Sequence, residues 1–67
     1  MGVQVRLARM MAKRNVSLKD LAERMDITEA NLSKIKTGKS KAIRFSTLEK
    51  LCHELRCQPA DILIYEE

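Results

Sequence analysis

The chain has 67 residues, 45% hydrophobic and 33% charged, and thirteen Lys and Arg against nine Asp and Glu give it a formal charge of +4. So short a chain holds a single domain spanning residues 1–67, because two halves would each lack the apolar surface to offset their chain entropy. No apolar run approaches the ~20 residues of a bilayer span, and the first fifteen residues lack the apolar core and cleavage site of a secretory leader, so no membrane partner is expected.

In chain order, Val3, Leu7, Ala8, Met10 and Met11 follow the 3.6-residue period and predict a first amphipathic helix over about 3–14. Asn15 tolerates a left-handed stop. Ser17 is a good N-cap with Asp20 three residues on, and Leu18, Leu21, Ala22 and Met25 share one face of a second helix over about 18–25. Asp26 and Ile27 leave almost no linker before Thr28, which caps a third helix with Leu32 and Ile35 inward and Gly38 at its end. A basic loop over 39–45 follows. Ser46 and Glu49 form an S-x-x-E capping box for a fourth helix that buries Leu48, Leu51, Cys52 and Leu55. Pro59 suits the first position of a fifth helix over about 59–63, where its missing N–H costs nothing. The expected fold is all-α, with five helices.

Leu21, Ala22, Met25, Ile27, Leu32 and Ile35 fall at the spacing of two helices crossing through a tight turn, over about 18–36. The small Ala22 permits close approach at the crossing, and Ile27 plugs the turn. With this motif, with G-K-S-K-A-I-R-F at 38–45 and with Q-P-A-D-I-L at 58–63, the chain resembles the Cro-repressor-like helix-turn-helix regulators, the XRE family, over nearly its whole length. The resemblance implies a lambda-repressor-like fold. It also implies a cytoplasmic, nucleoid-associated regulator of transcription, expected to repress, whose helix over 29–36 enters the major groove of double-stranded DNA. Four positions depart from the family's habits. Asp26 stands where Gly is usual in the turn, Leu18 where Gln is frequent, and Met11 with Lys36 where an Arg–Glu pair is common.

A helix advances about 100° per residue, so Leu32 and Ile35 facing inward leave Ala30, Ser33, Lys34 and Thr37 pointing away, flanked by Glu29 and Asn31. Glu29, Ala30, Asn31, Ser33 and Lys34 are the expected base readers. Lys34 suits guanine, Asn31 adenine and Ala30 a thymine methyl, while Glu29 either accepts from cytosine or complements the helix dipole. Asn31 is alternatively a capping partner of Thr28, and Lys34 a solvated side chain. Ser17, Thr28, Lys36, Thr37, Lys39, Lys41 and Arg44 are expected at phosphates, because they lie at helix ends or in the loop flanking the groove.

A homodimer is expected, since one such domain reaches too few base pairs for specificity, and the apolar run Ile62, Leu63, Ile64 and Tyr65 is its expected interface. Those residues could alternatively close the chain's own core. Cys52 and Cys57 with the single His53 do not make a zinc site, and Cys52 reads as a small buried hydrophobe with reduced thiols. No cofactor, metal, small-molecule ligand or catalytic set is expected. The rival reading is an antitoxin-like or protein-interaction module whose basic face binds an acidic protein.

Overall fold

The computed structural model describes residues 2–40 and 42–67, and its elements are β1 (Gly2–Val5), α1 (Leu7–Arg14), α2 (Leu18–Met25), α3 (Glu29–Lys36), α4 (Phe45–Leu55), α5 (Pro59–Ile62) and β2 (Leu63–Glu66). The five expected helices are present, with α2 and α3 at the expected bounds. The all-α expectation is corrected at both ends, where β1 and β2 pair antiparallel with Gly2 opposite Glu66 and Val5 opposite Leu63. The segment read as the first turn of helix one is therefore a strand. Val3-Gln4-Val5 also alternates at the period of two, and its backbone is satisfied by a partner some sixty residues away. Arg6 completes the ribbon: its N–H donates to Ile62 O at 2.6 Å, and its guanidinium pairs with Glu66 at 2.7 Å.

One local device ends three of the helices. Asn15, Asp26 and Arg56 adopt left-handed φ of 55°, 57° and 50°. In each case the next residue's N–H donates back five positions, Val16 to Met11 O, Ile27 to Ala22 O and Cys57 to Cys52 O, at 3.0–3.1 Å. These are Schellman corners, which satisfy carbonyls the helix end would otherwise orphan. The apolar residue after each corner then precedes the N-cap of the next helix and packs toward that helix's first turns. Val16 stands in this way before Ser17, and Ile27 before Thr28, each five residues ahead of a buried leucine in the helix, Leu21 and Leu32.

The same staple corrects the start of α4. Ser46 is not its N-cap; Arg44 is, with Leu48 N donating to Arg44 O at 3.0 Å. This places Ile43 just before the cap and Leu48 four positions into the helix, and both pack on the core. Starting at Ser46 would forfeit that contact.

The core consists of Leu7, Met10, Met11, Leu21, Ala22, Met25, Leu32, Leu51, Leu55 and Ile62, all buried. Two cationic side chains tie α4 to the first two helices. Arg14 donates to Leu55 O at 2.7 Å and Arg56 O at 3.1 Å, complementing the negative end of α4, and Lys50 donates to Met25 O at 3.3 Å at the end of α2. Among the described residues no helix is long and apolar enough to cross a membrane.

Candidate nucleic-acid interface

The site grows from two hydroxyl caps. Ser17 Oγ accepts from Asp20 N and Thr28 Oγ1 from Asn31 N, both at 3.1 Å. Each hydroxyl acts there as an acceptor, so its proton remains available to an anion at the positive end of the helix. The turn joining the helices closes at Asp26, whose left-handed φ of 57° lets it stand where the resemblance leads one to expect glycine. Ala22 is 2% exposed at the α2–α3 crossing, and its methyl leaves room for the close approach that a larger side chain would block.

Helix α3 buries Leu32 completely and half-buries Ile35, and this fixes its rotation. Glu29, Ala30, Asn31 and Lys34 are exposed on the face turned away from the core, and Ser33 is half-buried at its edge. Asn31 uses its backbone N–H for the Thr28 cap, while its side-chain amide makes no hydrogen bond to any described residue. Capping and reading are thus compatible in one residue. The Thr37 hydroxyl donates to Ser33 O at 2.9 Å, so its proton is already engaged within the helix end. Lys36 is half-buried, whereas Lys39 and Arg44 are exposed. Lys41 lies outside the described residues.

A shallow groove runs between α3 and the start of α4, floored by Ile27, Ile35 and Ile43 and edged by Asn31, Lys34, Ser40, Arg44 and Thr47. It gathers two of the expected base readers and one expected phosphate ligand. Ser40 and Thr47 were missed by sequence reasoning. The signal for Thr47 lay in the position of the α4 cap: once Arg44 is the cap, the N–H groups of Phe45, Ser46 and Thr47 open that helix without intrahelical acceptors. The loop is held against α3 because Lys39 N and Ser40 N both donate to Lys34 O, at 2.9 and 3.2 Å, after Gly38 turns the chain at φ 76°.

At the far side, the expected interface divides. Ile62 is buried in the chain's own core, which corrects its expected place at a dimer surface. Leu63 and Ile64 are half-buried in β2, and Tyr65 is 63% exposed beside Val3, its cross-strand neighbour, at 65%. Cys52, expected buried, is half-buried, as is Cys57.

Two short helices in this geometry, with a capped, outward-facing second helix beside a basic loop, define a helix-turn-helix DNA-binding domain. The sequence model of the Cro/C1-type HTH DNA-binding domain matches residues 6–67, and the chain belongs to that family. It is 54% identical over 65 residues to YozG of Bacillus subtilis (strain 168), named as an uncharacterised HTH-type transcriptional regulator, covering 97% of this chain and 77% of that protein. Two solved structures share the fold. A Bacteroides fragilis protein superposes with TM-score 0.82 at 22% identity over 92% of this chain and 98% of its own. SinR, a master regulator for biofilm formation solved in complex with DNA, gives 0.74 at 24% identity over 81% and 86% of the two chains.

Proposed function

We propose that the chain is a transcriptional regulator, repressing in sign, that acts in the cytoplasm by laying α3 in the major groove of a specific double-stranded operator. The observation that carries this reading is the exposed face of α3, where Ala30, Asn31 and Lys34 are open to solvent, the last two at one groove with Arg44, while Leu32 locks the helix from behind. Lys34 donates to guanine O6 or N7, Asn31 bridges adenine N6 and N7, and Ala30 meets a thymine methyl. Glu29 and Ser33 read from the edges of the same face. Phosphate oxygens on the two flanks are met by the Ser17 and Thr28 hydroxyls, by Lys36, Lys39, Lys41 and Arg44, and by the opening N–H groups of α4. Thr37 approaches a phosphate only after releasing Ser33 O. The regulatory role accords with the printed name of YozG, and the family membership favours DNA over an acidic protein as the partner of the basic face.

Two copies act together, about 34 Å apart on a near-palindrome, because a single domain spans too few base pairs for specificity. The exposed Tyr65 and Val3, with Ile64, supply the apolar surface for the contact. Selection from random duplexes followed by footprinting tests the reading. A defined, near-palindromic site is expected, with a steep loss of affinity as salt rises and a slope smaller by about one unit in Lys39→Ala or Arg44→Ala. Binding indifferent to sequence would overturn it. Sedimentation of Ile64→Lys and Tyr65→Lys tests the second copy, and an unchanged oligomeric state would remove the ribbon from the contact.

A further inference from the structure

The three Schellman corners place matched pairs of side chains together, and the third pair differs in chemistry from the others. Met11 meets Val16 and Ala22 meets Ile27, as the apolar contact of such a corner requires, whereas after α4 the residues so placed are Cys52 and Cys57. Cys57 N donates to Cys52 O at 3.0 Å. With standard bond lengths on either side of that hydrogen bond, the two Cα atoms lie within roughly 7 Å, the span a disulfide bridges. Neither thiol is sealed in the core. Both are free and half-buried, and they line one open groove with Phe45, Leu48, His53 and Pro59, where Phe45 is 83% exposed.

We infer that Cys52 and Cys57 form a reversible dithiol–disulfide pair that hydroperoxides oxidise. The Cys52 thiolate attacks one peroxide oxygen, the O–O bond breaks, the departing oxygen leaves as water or an alcohol with the thiol's proton, and Cys52 becomes a sulfenic acid. The Cys57 sulfur then attacks the sulfenic sulfur, the S–S bond forms, the S–O bond breaks, and hydroxide leaves as water with the Cys57 proton. Two electrons pass from the thiols to the peroxide, and a dithiol reductant returns them. Burial foremost, then Cys52 and Asp61, push the Cys57 thiol above its ordinary ionisation range, which disfavours it as the thiolate of the first step. The bridge fastens the end of α4 to the segment entering α5 and lies apart from the α3 groove.

The test treats reduced, full-length protein with hydrogen peroxide and then counts thiols by alkylation and mass in denaturant. Two thiols falling to none, a mass lower by two hydrogens, a monomer on a non-reducing gel and full recovery in dithiothreitol are expected. Cys57→Ser should accumulate a sulfenic acid trapped by dimedone, and Cys52→Ser several-fold less. Survival of both thiols, cross-linked dimers, or a loss that dithiothreitol does not reverse would overturn the proposal. These readouts on the unsubstituted chain decide it even if a serine variant fails to fold.

Discussion

Helices α2 and α3 are equally long, eight residues each, and meet at one turn, yet they invest their side chains differently. Helix α2 buries Leu21, Ala22 and Met25, whereas α3 buries Leu32 alone and leaves Glu29, Ala30, Asn31 and Lys34 in solvent. The difference separates two tasks that compete for the same surface. A helix that reads DNA must leave its best-presented face unpacked, so its position is fixed by a neighbour that buries three side chains. The stability of α3 is therefore borrowed through one leucine, a capped start and a methyl-sized crossing.

Substitutions that attack the borrowed support should have the largest effects. Leu32→Ala removes the one fully buried side chain of α3 and should cost about 2–5 kcal/mol, much of the roughly 3–10 kcal/mol available to a chain of this size. Urea unfolding measures it, and a loss below about 1 kcal/mol would mean that α3 is anchored elsewhere. Ala22→Leu overfills the crossing from the α2 side and should cost about 1–3 kcal/mol, with DNA binding falling alongside the melting temperature. An unchanged melting curve would place the close approach at another residue.

The opposite face should behave in the opposite way. Lys34→Ala and Asn31→Ala, being solvent-exposed and unpaired to described residues, should weaken operator binding roughly 10–100-fold each while leaving thermal unfolding unmoved. A matched fall in stability would blur the contrast between the helices. The smallest effect is expected in the turn itself. Asp26→Gly relieves the left-handed strain of a side-chain-bearing residue but gives the unfolded chain more freedom, so a net gain of about 0.5 kcal/mol is expected. A loss would show that the Asp26 carboxylate supports the turn beyond its backbone.

The helix-turn-helix was legible because its signals are local. Ser17 and Thr28 announce their helices, Leu21, Ala22, Met25 and Leu32 fall at the right period, and the residues needed to interpret each lie within one or two turns. The outward set on α3 followed from that rotation. Ser33 sits deeper than expected because the helix leans its Ser33 edge toward the core as well as its Ile35 edge. The ribbon was illegible for the converse reason. Val3 and Leu7 satisfy a helical period as well as a strand's, and only pairing with Leu63–Glu66, at the other end of the sequence, decides between them. At α4 two local signals conflicted: the S-x-x-E at Ser46 and the staple of Ile43 with Leu48. Burial of two apolar side chains outweighed one exposed cap.

The ribbon also sets an order of assembly. Every helix-ending corner and capped start closes within six residues, but β1 meets β2 only when nearly the whole chain has been drawn into a loop. Closing that loop costs entropy that is repaid by a four-rung ladder, the Arg6 N–H bond to Ile62 O, the Arg6–Glu66 ion pair and the packing of Val5 and Leu63 on the core. The helices and their shared core thus form first, and the ribbon zips onto a scaffold already in place. In the native protein the sequence runs backwards. The backbone amides of Val3 and Tyr65 should open to hydrogen exchange well before those of Leu51 and Leu55, so that the two ends fray as one unit while α4 stays shut.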